Sequence, residues 1–337
     1  MKRAWYIGFL TILAIGMVVT GCAAGEEVFI MTAEDCYDDE TFVPEDEFCY
    51  LTCELEGTCA DNPGLLSFIT NFISEIGNIV LGAPSDANVI ITYDIEGDRI
   101  VNPVEGVPQT DQEDEILADT NSHQVMWQEF ANLIPAENRS DISNYGIFTD
   151  GAEETMAYVE PNQDDPTKWN LILDAVDAEN KKEQQYTLIH EYGHVLTLNN
   201  RQVPFDLEAS LDDAAYEESA NACPRFFTGE GCANGNSYIN AFFDQFWADI
   251  YDELPQDPED YDALDAFYQA HQDRFVTDYA ATNPGEDIAE SWTHFVLNDK
   301  PSGNSIADQK VQFFYDYPEL VTLRDKILAR LYSQSRR

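Results

Sequence analysis

His190, Glu191 and His194 are the residues whose types and spacing point first to chemistry. They lie in Tyr186-Thr-Leu-Ile-His-Glu-Tyr-Gly-His-Val-Leu-Thr-Leu198, a His-Glu-x-x-His pattern inside an apolar stretch. On a helix, positions four apart share a face one turn from each other, so both imidazoles can reach one metal ion while Glu191 stands beside it. Two imidazoles suit zinc, and a carboxylate next to zinc suits a general base that activates water. Leu188, Ile189, Val195, Leu196 and Leu198 make the segment apolar on most sides and predict a buried helix. The chain has only five histidines, and two of them fall at this spacing.

A hydrolytic zinc needs a third protein ligand and one open position. The metzincin continuation would put Gly at 197 and His at 200; Thr197 and Asn200 exclude that class. The better candidate lies downstream, in Tyr279-Ala-Ala-Thr-Asn-Pro-Gly-Glu-Asp-Ile-Ala-Glu-Ser-Trp292. Pro284-Gly285 is expected to end a turn and Glu286 to open a helix, with Glu286 and Glu290 four apart on one face. Such a pair suits one carboxylate on zinc and a second that orients a ligand histidine. Glu286 is the expected ligand; Glu290 could exchange roles with it, and Tyr279 could be ordinary core. His294 is a weaker ligand candidate, expected at the surface, and His123 and His271, which have no partner pattern, are read as structural. Trp292 and Phe295 are expected to seat the helix.

Together the two pieces resemble the gluzincin metallopeptidases, in which His-Glu-x-x-His is followed by a glutamate ligand and a supporting carboxylate four residues later. Tyr279, Glu286 and Ala289-Glu290 are similar, more specifically, to the lethal-factor-like branch, whose pattern is Tyr, the ligand Glu seven residues on, then Ala-Glu. The resemblance is confined to these pieces and carries no implication of toxin activity. It implies that His190, His194 and Glu286 hold Zn2+. It also implies that Glu191 takes a proton from the attacking water and returns it to the leaving amine, and that Tyr279 donates a hydrogen bond to the developing oxyanion. This chain departs from the pattern by putting Glu286 far from His194, with an excursion bounded by Cys223 and Cys232 between them.

The elements that must position these residues are legible in outline. Alternating or apolar runs predict strands over 88–94, 156–160 and 169–176, and helical spacing covers 123–133. A polar break at 177–183 precedes the motif helix. Residues 201–237 read as loop-rich, followed by helices over 238–253, 261–279, 286–297 and 319–332. Strands first and helices later predict an α+β domain over 85–337, and the resemblance makes it zincin-like: a small N-terminal sheet, an active-site helix and a helical C-terminal part. Residues 22–84 read as an acidic, cysteine-bearing linker or stapled module ending in an apolar helix over 65–81.

The N-terminal residues 1–21 belong to an export signal: Lys2 and Arg3, then an apolar, uncharged run, then Val19-Thr20-Gly21-Cys22. That ending resembles the lipobox of bacterial lipoproteins, which implies lipidation of Cys22 and an extracytoplasmic protein tethered to the membrane of the cell envelope. The net charge of -47 over 337 residues would be repelled by phosphate backbones and excludes nucleic acid as a partner. No stretch has the Asp-x-Asp-x-Asp-Gly spacing of a calcium loop. Six further cysteines suggest three disulfides in an oxidising compartment. Cys223 with Cys232 is the natural local pair, while Cys36, Cys49, Cys53 and Cys59 allow three connectivities. The expected activity is hydrolysis of a peptide or protein substrate, as an endopeptidase. The rivals are a non-catalytic binding or adhesion lipoprotein on the same scaffold, and a zinc aminopeptidase.

Overall fold

A computed structural model describes residues 36–37, 40–43, 48–56, 88–151, 155–177, 181–257 and 260–336. The export signal with Cys22, the apolar helix expected over 65–81, and Cys59 lie outside the described residues. The chain folds as α+β, with a five-stranded mixed sheet followed by a helical C-terminal half. A short antiparallel hairpin, β1 (Glu40–Val43) and β2 (Phe48–Leu51), runs into helix α1 (Thr52–Glu56). It is closed by a Cys36–Cys49 disulfide, and it docks on the C-terminal helix through the fully buried Leu51.

The large sheet is built from β3 (Ile91–Glu96), β4 (Arg99–Glu105), β5 (Ile142–Phe148), β6 (Ala157–Pro161) and β7 (Trp169–Asp174), in the spatial order β4-β3-β5-β7-β6. Only β5 and β7 run parallel; β6 returns antiparallel to β7 and forms one edge of the sheet. Tyr93, Tyr145, Ile147, Leu171 and Leu173 point from the inner strands into the main core, while Phe148, Tyr158 and Ile172 form a smaller cluster. This is the two-sided alternation expected of a pleated sheet. β4 and β5 were not among the expected strands. Pro103 and the left-handed Asn102 (φ 51°) interrupt the pattern of β4, and Ser143, Asn144 and Gly146 dilute that of β5.

The helices are α2 (Asp111–Ala118), α3 (Thr120–Leu133), α4 (Lys181–Leu198), α5 (Asp213–Ala222), α6 (Tyr238–Phe246), α7 (Tyr261–Ala270), α8 (Pro284–Leu297), α9 (Ile306–Phe313) and α10 (Pro318–Ser335). The long helices expected over 238–253 and 261–279 are broken into α6 and α7 with short 3-10 turns after each. The loop-rich stretch contains α5, a polar helix with no buried residue and therefore no apolar period to read. Helix α8 begins two residues earlier than expected. Pro284 takes the first helical position and Asn283 caps the end, its side chain accepting from the N–H groups of Gly285 (2.8 Å) and Glu286 (3.0 Å). Among the described residues, no helix is long and apolar enough to cross a membrane.

Candidate metal centre and active site

Helix α4 is buried almost all round, as its composition requires, and packs against α8 and β6. Gly193 governs the crossing with α8. A Cβ there would lie 2.9 Å from Trp292 Cδ1 and 3.2 Å from Ala289 Cα, so a residue without a side chain lets the two backbones approach closely. That approach brings the first turn of α8 over His190 and His194.

The result is a compact triangle of ligand atoms. His190 Nε2 lies 3.0 Å from His194 Nε2 and 3.1 Å from Glu286 Oε2, and His194 Nε2 lies 3.2 Å from the same oxygen. Zinc bonds of about 2.0–2.1 Å in tetrahedral geometry separate neighbouring ligand atoms by roughly 3.3 Å, so the three residues fit that ion with little adjustment. Two other groups bring candidate ligand atoms together among the described residues. In Cys36, Glu40 and Cys49 the thiols are spent on a disulfide. In Asp150, Asp174 and Asp177 the buried Asp174 already accepts the N–H groups of Asp150, Val176 and Asp177 as a loop cap.

Glu290 is buried beneath the triangle and accepts hydrogen bonds from His190 Nδ1 (2.9 Å), Tyr186 Oη (3.0 Å to each carboxylate oxygen) and Thr277 Oγ1 (2.6 Å). Holding the Nδ1 proton on Glu290 frees Nε2 as a ligand and fixes the ring's orientation. On the neighbouring face of α8, the fully buried Asp287 pairs with the fully buried Lys310 at 2.5 Å and accepts from Trp247 Nε1 at 2.7 Å, locking the helix from behind.

Charge is concentrated at the triangle. Burial alone would lower the His190 imidazole, but hydrogen bonds to Glu286 and Glu290 overrule it and raise its pKa to about 10; His194 is also raised, through Glu286. Glu286 is held well below the ordinary carboxylate value, because the two imidazoles outweigh its burial. Glu191 behaves differently: burial raises its carboxyl to about 7 against the opposing pull of His194 and His190. Tyr279 stands with its ring centroid 6.0 Å from that of His190; burial, then the charge of Glu286, raises its pKa far above the ordinary value.

A cleft of about 430 Å³ opens on this cluster and is lined by Glu191, His194 and Glu286, by Tyr158 and Val159 of the edge strand, and by the loop between Cys223 and Cys232. Those two cysteines form a disulfide, as their spacing suggested, and Cys53 is also disulfide-bonded. Such bonds fit an oxidising compartment.

The structure thus brings together His190, Glu191, His194, Tyr279, Glu286 and Glu290, from segments about a hundred residues apart. His294 is outside the triangle: it lies on α8, partly buried rather than on the surface, with its imidazole lowered by burial. His123 is buried between Tyr93 Oη (2.7 Å) and Ile116 O (2.9 Å), and His271 meets Glu253 at 3.1 Å. Sequence reasoning gave no role to Tyr186, Thr277, Gly193 or the Asp287–Lys310 pair. Tyr186 did carry a signal, because it lies one helical turn before His190 on the same face. Comparison with protein-family models, with curated proteins and with solved structures yields no match.

Proposed function

We propose that this chain is an extracytoplasmic zinc metallopeptidase of the gluzincin type, with a zincin-like domain, tethered through a lipid on Cys22 and cutting peptide bonds within its substrates. The observation that carries the reading is the triangle of His190, His194 and Glu286 with the buried carboxyl of Glu191 beside it. Zinc held by those three residues would polarise the substrate carbonyl and acidify water.

The chain's own groups supply the rest. Glu191 is buried beside the triangle and faces the cleft, placed to take a proton from the attacking water and hand it to the departing amine. Tyr279 stays protonated at any working pH and serves as a hydrogen-bond donor toward the negative charge that develops on the carbonyl oxygen. Glu290 keeps His190 in the tautomer that presents Nε2. Among the described residues strand β6 has a sheet neighbour on one side only, and it lines the cleft beside Glu191, which suits an extended peptide added along it as a further strand.

The test is zinc content and cleavage of a mixed peptide library by the purified full chain and by Glu191→Gln. One zinc per chain in both, with chelator-sensitive internal cleavage in the parent and a loss of at least about a hundredfold in the variant, is expected. Undiminished cleavage by Glu191→Gln overturns the mechanism. Mass spectrometry of the N-terminal fragment checks the lipid on Cys22.

A further inference from the structure

The excursion between Cys223 and Cys232 is built as a rigid miniature hairpin. The disulfide joins Cα atoms 5.6 Å apart, Phe227 bridges to Cys232 in antiparallel fashion, and the Thr228 N–H donates to Gly231 O at 2.9 Å. Its turn and its base are pinned as well. The Asp206 N–H donates to Glu230 O at 2.7 Å, and the Phe226 N–H donates to Asn240 Oδ1 at 3.2 Å. Gly231, at φ 155°, sits so close to the chain that a Cβ would lie 2.4 Å from Pro204 O.

What this hairpin presents to the cleft is aromatic. Phe226 and Phe227 line it together with Tyr216 from α5 and Tyr251. The rings brace one another: Tyr216 meets Phe227 edge-on at 5.1 Å, Phe226 stacks on Phe243 at 4.3 Å, and Tyr251 stands edge-on to both Phe226 and Phe243. Tyr216 and Tyr251 nevertheless remain 39% and 38% exposed. Preformed aromatic surface inside a concavity, next to polar groups that fix orientation, is the usual construction of a side-chain pocket. Here the same cleft holds Glu191, His194 and Glu286 and the edge strand, so whatever fills it lies next to the bond being cut.

We propose that the Cys223–Cys232 hairpin is the specificity element of this enzyme: its aromatic wall receives a bulky aromatic or branched apolar side chain of an extended peptide, adjacent to the scissile bond, and the disulfide holds that wall in register. The proposal rests on the peptidase reading. Phe227 and Tyr216 act by contact with the substrate side chain, and Cys223 and Cys232 are positioning residues.

The test profiles a peptide library by mass spectrometry with the zinc-loaded full chain, with Phe227→Ala, with Tyr216→Ala, and with the paired change Cys223→Ser and Cys232→Ser. Expected are cut sites enriched in Phe, Tyr, Trp or Leu at one position beside the scissile bond. Phe227→Ala should lower kcat/KM on such peptides by about tenfold or more, mainly through KM, leave a peptide with Ala at that position nearly unaffected, and keep one zinc per chain. The paired cysteine change should flatten the same preference. Should Phe227→Ala fail to fold, Tyr216→Ala, which alters a partly exposed ring, carries the same expectation. Cleavage by the parent without preference at the flanking positions, or an equal slowing of all peptides by the variants, overturns the proposal while leaving the peptidase standing. No cleavage of any peptide by the zinc-loaded parent overturns both.

Discussion

Glu290→Gln tests whether Glu290 orients the proposed metal ligand His190 or is itself a ligand. In the parent, one buried carboxylate accepts from His190 Nδ1, Tyr186 Oη and Thr277 Oγ1. A glutamine can keep its carbonyl toward His190 and Tyr186, and the Thr277 hydroxyl can turn to accept from the new amide, so the number of hydrogen bonds survives. The negative charge does not. Hydrogen bonds to charged groups contribute about 1.5–3 kcal/mol and neutral ones about 0.5–1.5 kcal/mol, a difference of roughly 1–1.5 kcal/mol for the bond to His190. Because 1.4 kcal/mol is a factor of about ten, the zinc Kd should rise about tenfold, at the lower end of the range for such supporting residues. Competition against a chromophoric chelator at fixed pH measures this, with circular dichroism of the metal-free protein as the check on folding. Glu286→Gln, which replaces the proposed ligand, should cost distinctly more. A folded Glu290→Gln with an unchanged zinc Kd refutes the orienting role, and a larger loss for Glu290→Gln than for Glu286→Gln reverses the two assignments.

Two other expectations follow from the same charges. Lys310→Met removes one partner of a fully buried pair and should destabilise the fold by about 3–5 kcal/mol in urea titrations. Asp287, already raised to about 6 by burial despite Lys310, would rise further, so the deficit should shrink as pH falls from alkaline values toward 6 and level off below it; a deficit independent of pH would show that Asp287 is not the group left stranded. In the metal-free protein the His190 pKa is raised from 6.5 to about 10, so its contribution to stability is complete below pH 6.5 and is lost as pH climbs toward 10. The chelated protein should therefore lose Tm over that window, and zinc uptake at neutral pH should release protons, seen as a dependence of the binding enthalpy on the buffer's own ionisation enthalpy; a flat Tm with no proton release contradicts the charge assignment.

The chemistry was most legible where it depends on spacing within one element. His190, Glu191 and His194 share a turn of α4, and Glu286 and Glu290 share a turn of α8, so helical period alone relates the members of each set. How the two helices meet was not legible, because it rests on Gly193, whose only sequence signature is a glycine inside an apolar helical run, a mark of close approach that leaves the partner unnamed. The support was hidden for a different reason: Thr277 is set by the 3-10 turn that follows it, where the Ala280 N–H donates to its hydroxyl, and no period in the sequence ties that hydroxyl to Glu290. The sheet was half legible. β7 reads as a strand because it is buried on both faces, whereas β4 and β5 carry proline, asparagine and glycine that only their hydrogen-bonded neighbours overrule. Helix α5 has no buried residue at all, so nothing in its pattern could distinguish it from the surrounding loop, yet it delivers Tyr216 to the cleft. The groups that would carry out hydrolysis are therefore written locally in the sequence, while the groups that would choose a substrate are written in long-range packing around the Cys223–Cys232 hairpin. Substitutions that alter specificity should accordingly fall in segments where the chain shows no periodic pattern.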